Sequence, residues 1–231
     1  MEATEIRKLA RLEDKHWWYR ERRNLLATAI KGMAPGLAVD VGAAGGGNTR
    51  VLVKAGWHAV PVEYGAEGAE VAAERGLPVL RADACFLPVA DDSADLVVAF
   101  DVLEHIPDDD AAVAGVFRAL KPGATFLVAV PADPALWSEH DVAVDHVRRY
   151  TRETLLGVLT RGGFEIESCQ SWNVLLRPVA AWRRKKSTGS DLDDLNPLVN
   201  TALYGVIALE RYLPVKSLPG VSLLVRARKP A

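Results

Sequence analysis

The chain has 231 residues, 49% hydrophobic and 25% charged, with a formal net charge of −2. That balance suits one αβ domain with a full core, and it excludes bulk attraction to nucleic acid or to an anionic membrane. Two cysteines, Cys85 and Cys169, are too few and too far apart for a disulfide framework or a zinc ribbon. The expected setting is therefore reducing and cytoplasmic. Residues 1–8 are charged and lack an apolar h-region, so no secretory signal is expected there. No apolar run approaches the ~20 residues of a membrane span.

In chain order, residues 5–31 read as one helix, with Ile6, Leu9, Leu12 and Trp17 near one face and Leu25, Leu26 and Ile30 continuing the pattern. Its unusual feature is His16-Trp-Trp-Tyr19. Neighbouring side chains point about 100° apart on a helix, so Trp17 and Trp18 cannot share one core face. Either one packs and the other is half exposed, or Trp17, Trp18 and Tyr19 form a lid over a ligand; the lid is the preferred reading.

Residues 37–49, Leu-Ala-Val-Asp-Val-Gly-Ala-Ala-Gly-Gly-Gly-Asn-Thr, read as a buried strand, a tight turn and a helix start. The glycines let the backbone bend and let a ligand touch it, and the helix-start N–H groups add a polar cradle. Asp40 would repel a pyrophosphate, and the glycine spacing departs from G-x-G-x-x-G. A ligand with an amino group and a positively charged sulfur suits the acid better.

The second strand, 57–63, ends in Glu63, about 20 residues past the turn, where a carboxylate can accept from ribose hydroxyls. Its plainer reading is an acid favoured at the start of the helix 66–75. A short third strand, 77–83, ends in Asp83-Ala84, and an apolar fourth, 94–101, ends in Phe100-Asp101. A helix over 108–120 is closed by Lys121-Pro-Gly123. The fifth strand, 124–130, leads into a polar loop reaching Tyr150, long enough to carry function. A helix over 151–160 and strands over 164–172 and 221–228 complete the pattern. Between those strands lie two helices, 173–186 and 196–212, split by a polar stretch. The basic run 183–186 reads as a solvated helix end rather than a phosphate or membrane-surface contact. The wide apolar stripe of the second helix points to packing on a ligand pocket or to a dimer contact, so monomer and homodimer both stay open.

Asp40-Val41-Gly42 with Gly46 resembles motif I of the class I S-adenosylmethionine-dependent methyltransferases, usually written D-V-G-C-G-x-G, with Ala43 and Ala44 in place of Cys and the middle Gly. Leu87-Pro88, Asp91-Asp-Ser93, the fourth strand and Val102-Leu-Glu-His-Ile-Pro107 resemble the same family more specifically. His16-Trp-Trp-Tyr19 with Arg22-Arg23, and Leu136-Trp-Ser-x-His-Asp with His146-x-Arg-Arg-Tyr-Thr151, are similar to a bacterial subgroup acting on small molecules.

The resemblance implies an α/β, Rossmann-like, doubly wound seven-stranded sheet of order 3-2-1-4-5-7-6 with strand 7 antiparallel. It implies one domain over 1–231: an N-terminal lid helix over 1–31, a core over 32–172 and 213–231, and an acceptor-capping insertion over 173–212 between strands 6 and 7. S-adenosylmethionine is the implied cofactor and S-adenosylhomocysteine its product. Asp40, Gly42, Ala44 and Gly46 would hold it at the turn, Glu63 at the ribose and Tyr64 against the adenine. Asp83 and Ala84 would meet the adenine edge, and Phe100 and Asp101 the methionine part. The methyl would pass to an oxygen or nitrogen of a small acceptor, as in bacterial secondary metabolism or glycan and lipid biosynthesis.

His105, His140 and His146 are the candidate bases, with an ordinary pKa near ~6.5 suited to proton transfer. Trp137, Asp141, Arg148 and Arg149 join Trp17, Trp18 and Tyr19 as candidate substrate contacts, the arginines suiting a carboxylate or phosphate. The plainer readings are a helix-start histidine at 105 and a loop pinned by salt bridges. His140, Asp141 and His146 could hold a metal, but with no cysteine and irregular spacing hydrogen bonding is preferred, and no metal is expected. Two other classes remain: an NAD-type nucleotide binder, against which Asp40 speaks, and a non-catalytic S-adenosylmethionine-binding or partner protein on the same fold, for which Ala44 and the apolar insertion give motive.

Overall fold

A computed structural model describes residues 3–184 and 195–231. Apolar runs form the strands β1 (Leu37–Val41), β2 (His58–Glu63), β3 (Leu80–Arg81), β4 (Ala94–Phe100), β5 (Leu120–Pro131), β6 (Glu165–Trp172) and β7 (Ser222–Arg228). They make one sheet in the order β3-β2-β1-β4-β5-β7-β6, with β7 antiparallel to both neighbours and the remaining pairs parallel. This is the expected doubly wound order.

The strand period of two sorts the core into two layers. Val39, Val41, Val97, Ala99, Phe126 and Val128 face α5 (Asp109–Ala119) and α7 (Arg152–Arg161), where Val113, Val116, Leu155 and Leu159 fill the space. Ala38, Leu96, Val98, Phe100, Leu127 and Ala129 face the other way, onto Leu26 and Ile30 of the N-terminal segment and Leu52 of α3 (Gly47–Lys54).

The N-terminal segment differs from its expected single helix. It is two helices, α1 (Ala3–Leu12) and α2 (Trp17–Ala29), broken between Glu13 and His16. The cause is tertiary. Glu13 is buried beside Arg75 at 2.5 Å, Arg50 at 3.5 Å and Arg23 at 3.8 Å. His16 then restarts the helix by accepting from the Trp18 N–H at 3.3 Å. Arg7 pairs with Glu67 at 2.5 Å, laying α1 on α4 (Ala66–Glu74).

Three further elements depart from expectation. β3 is two exposed residues, as edge strands often are. β5 begins at Leu120, so Lys121-Pro-Gly123 lies within its irregular start rather than stopping a helix. The first insertion helix, α8 (Arg177–Arg184), starts late because Asn173 has φ 59° and the Val174 and Leu175 N–H groups donate to Glu210 at 2.8 and 3.0 Å. The second, α9 (Pro197–Glu210), is capped by Asn196. Lys185, Lys186 and the polar split after them lie outside the described residues. No described helix is long and apolar enough to cross a membrane.

Leu26 is fully buried between α2 and the sheet. Leu26→Ala should lower unfolding stability by about 2–5 kcal/mol, transfer loss plus cavity, as read from denaturant midpoints. A change below ~1 kcal/mol would mean that α2 rests on the sheet without holding it.

Candidate active site

The turn after β1 is shaped by glycines that no other residue could replace. Gly42 has φ 65°, and a Cβ there would lie 2.5 Å from a Val102 methyl. Gly46 has φ 80° and starts α3; its Cβ would lie 2.1 Å from a Leu77 methyl. Ala44 between them also takes a left-handed φ of 45°. It is held there by Glu63 at the end of β2, whose carboxylate accepts from the Ala44 and Gly65 N–H groups, each at 2.7 Å.

Asp40 sits under this turn, 1% exposed. One carboxylate oxygen accepts from the Thr49 hydroxyl at 2.5 Å; the other has no hydrogen-bond partner among the described residues. Burial pushes its pKa up to about 7, against the Thr49 bond that holds it down. A buried acid with a vacant acceptor suits a cationic donor from a ligand.

At the carboxyl end of β4 the chain turns through Asp101, at φ 59°. Asp101 is paired with Arg22 of α2, whose guanidinium lies 4.9 Å over Phe100 and 5.3 Å over Trp172. The Arg22 Nη1 is buried and without a partner among the described residues. One orphaned acceptor on Asp40 and one orphaned donor on Arg22 fit the ammonium and carboxylate of an amino-acid group.

A 3-10 turn, Leu103–His105, follows. His105 Nδ1 lies 3.2 Å from the Asp145 carbonyl, and its ring meets that of His146 edge-on at 4.7 Å. Burial, with the neighbouring His146, lowers the His105 pKa. His146 Nδ1 lies 2.8 Å from Asp141, and its Nε2 lies 3.8 Å from Glu104. Asp141 starts α6 (Glu139–Ala143), is fully buried, and also accepts from the Ser138 N–H at 2.9 Å and Arg149 Nε at 2.8 Å. Arg149 in turn donates to the Ala132 carbonyl at 2.9 Å. His140 stands with its ring 6.3 Å from that of His146. Glu104 is fully buried, and burial beside Asp101 pushes its carboxyl well above the usual range.

These groups open into one cavity of about 340 Å³. Gly42, Ala43, Ala44 and Gly47 of the turn line it, as do Phe100, Asp101, Glu104, His105, His140, His146 and Arg149. Trp17, Trp18, Tyr19 and Arg22 of α2 close one side, with the Trp18 ring packed on that of Trp172 at 4.3 Å and tilted by 51°. Leu176, Val179, Arg183, Arg184 and Leu203 of the insertion close another. Arg183 and Arg184 end α8 at the cavity rim; Arg183 is exposed there, and Arg184 is partly buried and donates to the Leu136 carbonyl at 3.0 Å.

Other predicted residues lie elsewhere. Asp141 stands behind His146 rather than on the cavity wall. Trp137 is half exposed, and Arg148 points to Asp109 and the Pro107 carbonyl, both at 2.6 Å. Tyr64 and Asp83 are exposed at the ends of β2 and β3, where Asp83 accepts from the Cys85 N–H at 2.8 Å and Ala84 opens a short turn. Missing from the sequence reading are Arg22 as an ion partner, Glu13 and Glu104. For Glu104 the signal was present: an acid inside the apolar run Val102-Leu-Glu-His-Ile106.

Residues 39–128 match the family described as methyltransferase domain. A probable S-adenosylmethionine-dependent methyltransferase of Mycolicibacterium smegmatis is 26% identical over 162 residues, 68% of this chain and 62% of that protein. The alignment therefore spans less than two thirds of that relative. A ubiquinone biosynthesis O-methyltransferase of Methylococcus capsulatus is 27% identical over 201 residues, 84% of this chain and 77% of that protein. Among solved structures, Haemonchus contortus phosphoethanolamine N-methyltransferase 2 in complex with S-adenosyl-L-methionine is 19% identical, with a TM-score of 0.66 over 91% of this chain and 53% of that one. At that identity the likeness concerns the fold.

Asp40 makes ligand-free stability depend on pH. Its folded pKa of about 7 exceeds its unfolded value near ~3.9, so the folded state binds more protons between them. Stability should fall as pH rises from ~4 through ~7, by on the order of 3 kcal/mol from this group. Asp40→Asn should remove that component: denaturation at pH 5 and pH 8 should show a smaller drop in the variant. Identical drops would mean that Asp40 is already ionised and solvated.

Proposed function

We propose that this chain, a member of the class I S-adenosylmethionine-dependent methyltransferases, methylates a hydroxyl oxygen of a small acceptor with an apolar body. The observation that carries this reading is the single cavity into which both the glycine turn and three histidines open. S-adenosylmethionine supplies a methyl on a positive sulfur; as the acceptor oxygen bonds that carbon, the carbon–sulfur bond breaks, its electron pair stays on sulfur, and S-adenosylhomocysteine is left.

The chain's own residues do the rest. Asp40 accepts from the cofactor's ammonium and Arg22 donates to its carboxylate, with Phe100 and Asp101 alongside. Each Glu63 oxygen already accepts one N–H and keeps lone pairs for ribose hydroxyls. Tyr64, Asp83 and Ala84 border the adenine. Trp17, Trp18 and Tyr19 cover the reacting atoms and exclude water, so alignment of acceptor, methyl and sulfur supplies much of the rate.

The acceptor lies on the insertion side, against Leu176, Val179 and Leu203. Its hydroxyl proton passes to one of His105, His140 and His146; lowered pKa keeps His105 neutral and able to accept near pH 7. The name of the Methylococcus relative, an O-methyltransferase, agrees with an oxygen acceptor.

S-adenosylhomocysteine, followed by calorimetry, should bind more tightly as pH rises from 6 to 8, because Asp40 must lose its proton to receive the ammonium. Asp40→Asn should flatten that dependence and weaken binding at least about tenfold at pH 8, the worth of a charged hydrogen bond. A pH-independent affinity in the wild type would remove Asp40 from the cofactor.

Turnover with a panel of phenol and alcohol acceptors tests the other half. One of His105→Ala, His140→Ala and His146→Ala should lower kcat by about 10²–10⁴-fold with S-adenosylhomocysteine affinity kept. If all three retain near-full kcat, alignment alone acts and an amine, which loses its proton to water after alkylation, becomes the acceptor.

A further inference from the structure

The surroundings of Glu104 are left unexplained by the methyl-transfer reading. It is fully buried, and neither carboxylate oxygen has a hydrogen-bond donor among the described residues. Of the nearby arginines, Arg22 pairs with Asp101 and acts on Glu104 through its charge without a hydrogen bond, and Arg149 is taken by Asp141 and the Ala132 carbonyl. An uncompensated buried carboxylate costs several kcal/mol, so such a group needs a cation or a proton.

Two histidines stand close to it, each with one ring nitrogen left over from the contact that fixes the other. His146 has Nδ1 against Asp141 at 2.8 Å, which leaves Nε2, 3.8 Å from Glu104. His105 has Nδ1 against the Asp145 carbonyl at 3.2 Å, which leaves its Nε2. One potential ligand atom from each of Glu104, His105 and His146 falls within 4.8 Å of the others. An imidazole whose second nitrogen is fixed by a carboxylate or a backbone carbonyl is the usual form of a metal-ligating histidine. All three residues line the cavity, so a bound ion would keep open positions toward it.

We propose that Glu104, His105 and His146 bind one divalent transition-metal ion of the zinc type, with Asp141 and the Asp145 carbonyl as the outer partners of the imidazoles. Two nitrogens and one carboxylate oxygen with an open position are a ligand set that zinc and its neighbours accept. Closing ligand atoms now up to 4.8 Å apart onto bonds of ~2.0–2.2 Å takes small side-chain shifts. The binding stands independently of the proposed reaction. The ion's use rests on that reading: an acceptor oxygen taken into the open position gives up its proton more readily, to His140 on the same wall, before it bonds the methyl carbon.

The test is calorimetric titration of chelator-treated, tag-free full-length protein with Zn²⁺ alone, and separately with S-adenosylhomocysteine. One ion per chain is expected. Glu104→Gln and His146→Ala should each weaken Zn²⁺ binding at least about tenfold, and Asp141→Asn about 10–100-fold. His58→Ala, an exposed histidine of β2, should leave it unchanged. S-adenosylhomocysteine affinity should be that of the wild type in all four. In the wild-type protein the imidazole resonances of His105 and His146 should move with Zn²⁺ while that of His58 stays, a readout that does not depend on any variant folding. Absence of stoichiometric Zn²⁺ binding, unmoved His105 and His146 resonances, or wild-type affinity in Glu104→Gln would each overturn the site and leave Glu104 a protonated carboxyl. Retained Zn²⁺ binding without S-adenosylhomocysteine binding would instead overturn the methyltransferase reading and keep the metal site.

Discussion

The carboxyl edge of the sheet buries carboxylates that the sheet itself cannot neutralise, and arginines of the N-terminal segment neutralise part of them. Arg22 reaches Asp101 at the end of β4, and Arg23 together with Arg75 reaches Glu13 beside the glycine turn. Glu21 of α2 is answered from the insertion by Arg211, at 2.7 Å through Nε. Removing one partner of such a pair leaves a buried charge, a cost of about 3–5 kcal/mol. These pairs are therefore less a source of stability than a lock on placement. They tie α1, α2 and the insertion to one another and to the sheet.

That lock sets what sequence reading can and cannot reach. The central strands are legible because parallel strands covered on both faces are continuous apolar runs, and Gly42 and Gly46 mark the turn because only glycine fits φ above 60° with a side chain so close. The break at Glu13 is illegible because its cause, the arginines at 23, 50 and 75, lies outside the local window. The same holds for the late start of α8, which is set by Glu210 reaching back to the Val174 and Leu175 N–H groups. Side-chain direction in the 136–150 loop was hidden too. Arg148 and Arg149 are neighbours that face opposite ways, one to Asp109 and one to Asp141. Chain proximity grouped His140, Asp141 and His146; the fold instead brings His146 to Glu104 and His105 and puts Asp141 behind it.

The two halves of the cavity carry opposite electrostatic problems. On the turn side two buried polar atoms lack partners among the described residues: an acceptor on Asp40, beneath the turn, and a donor on Arg22, which lines the cavity. In the proposed reading a zwitterion would fill both, and its ammonium would require Asp40 to give up its proton, so binding would cost that proton besides desolvation. The aromatics of α2 and Trp172 then shield the pairing from water, which strengthens it.

The acceptor side has no such complement. Asp141 accepts from the Arg149 Nε and the Ser138 N–H and takes up His146 Nδ1 at 2.8 Å, which leaves His146 Nε2 on the side of Glu104. That nitrogen and the buried Glu104 carboxyl face each other at 3.8 Å, with the second imidazole edge-on beside them. Only a positive species between them makes that arrangement favourable. A proton can serve, but it bonds one acceptor strongly and leaves His105 without a part in the cluster. A divalent ion engages all three groups at once and carries the charge that Glu104 lacks. It also leaves a position open to the cavity, where an acceptor oxygen would meet a Lewis acid instead of a base. His105 and His146 thus belong to two chemistries for deprotonating a hydroxyl, as candidate bases and as metal ligands, and the number of partners each cation can hold separates them.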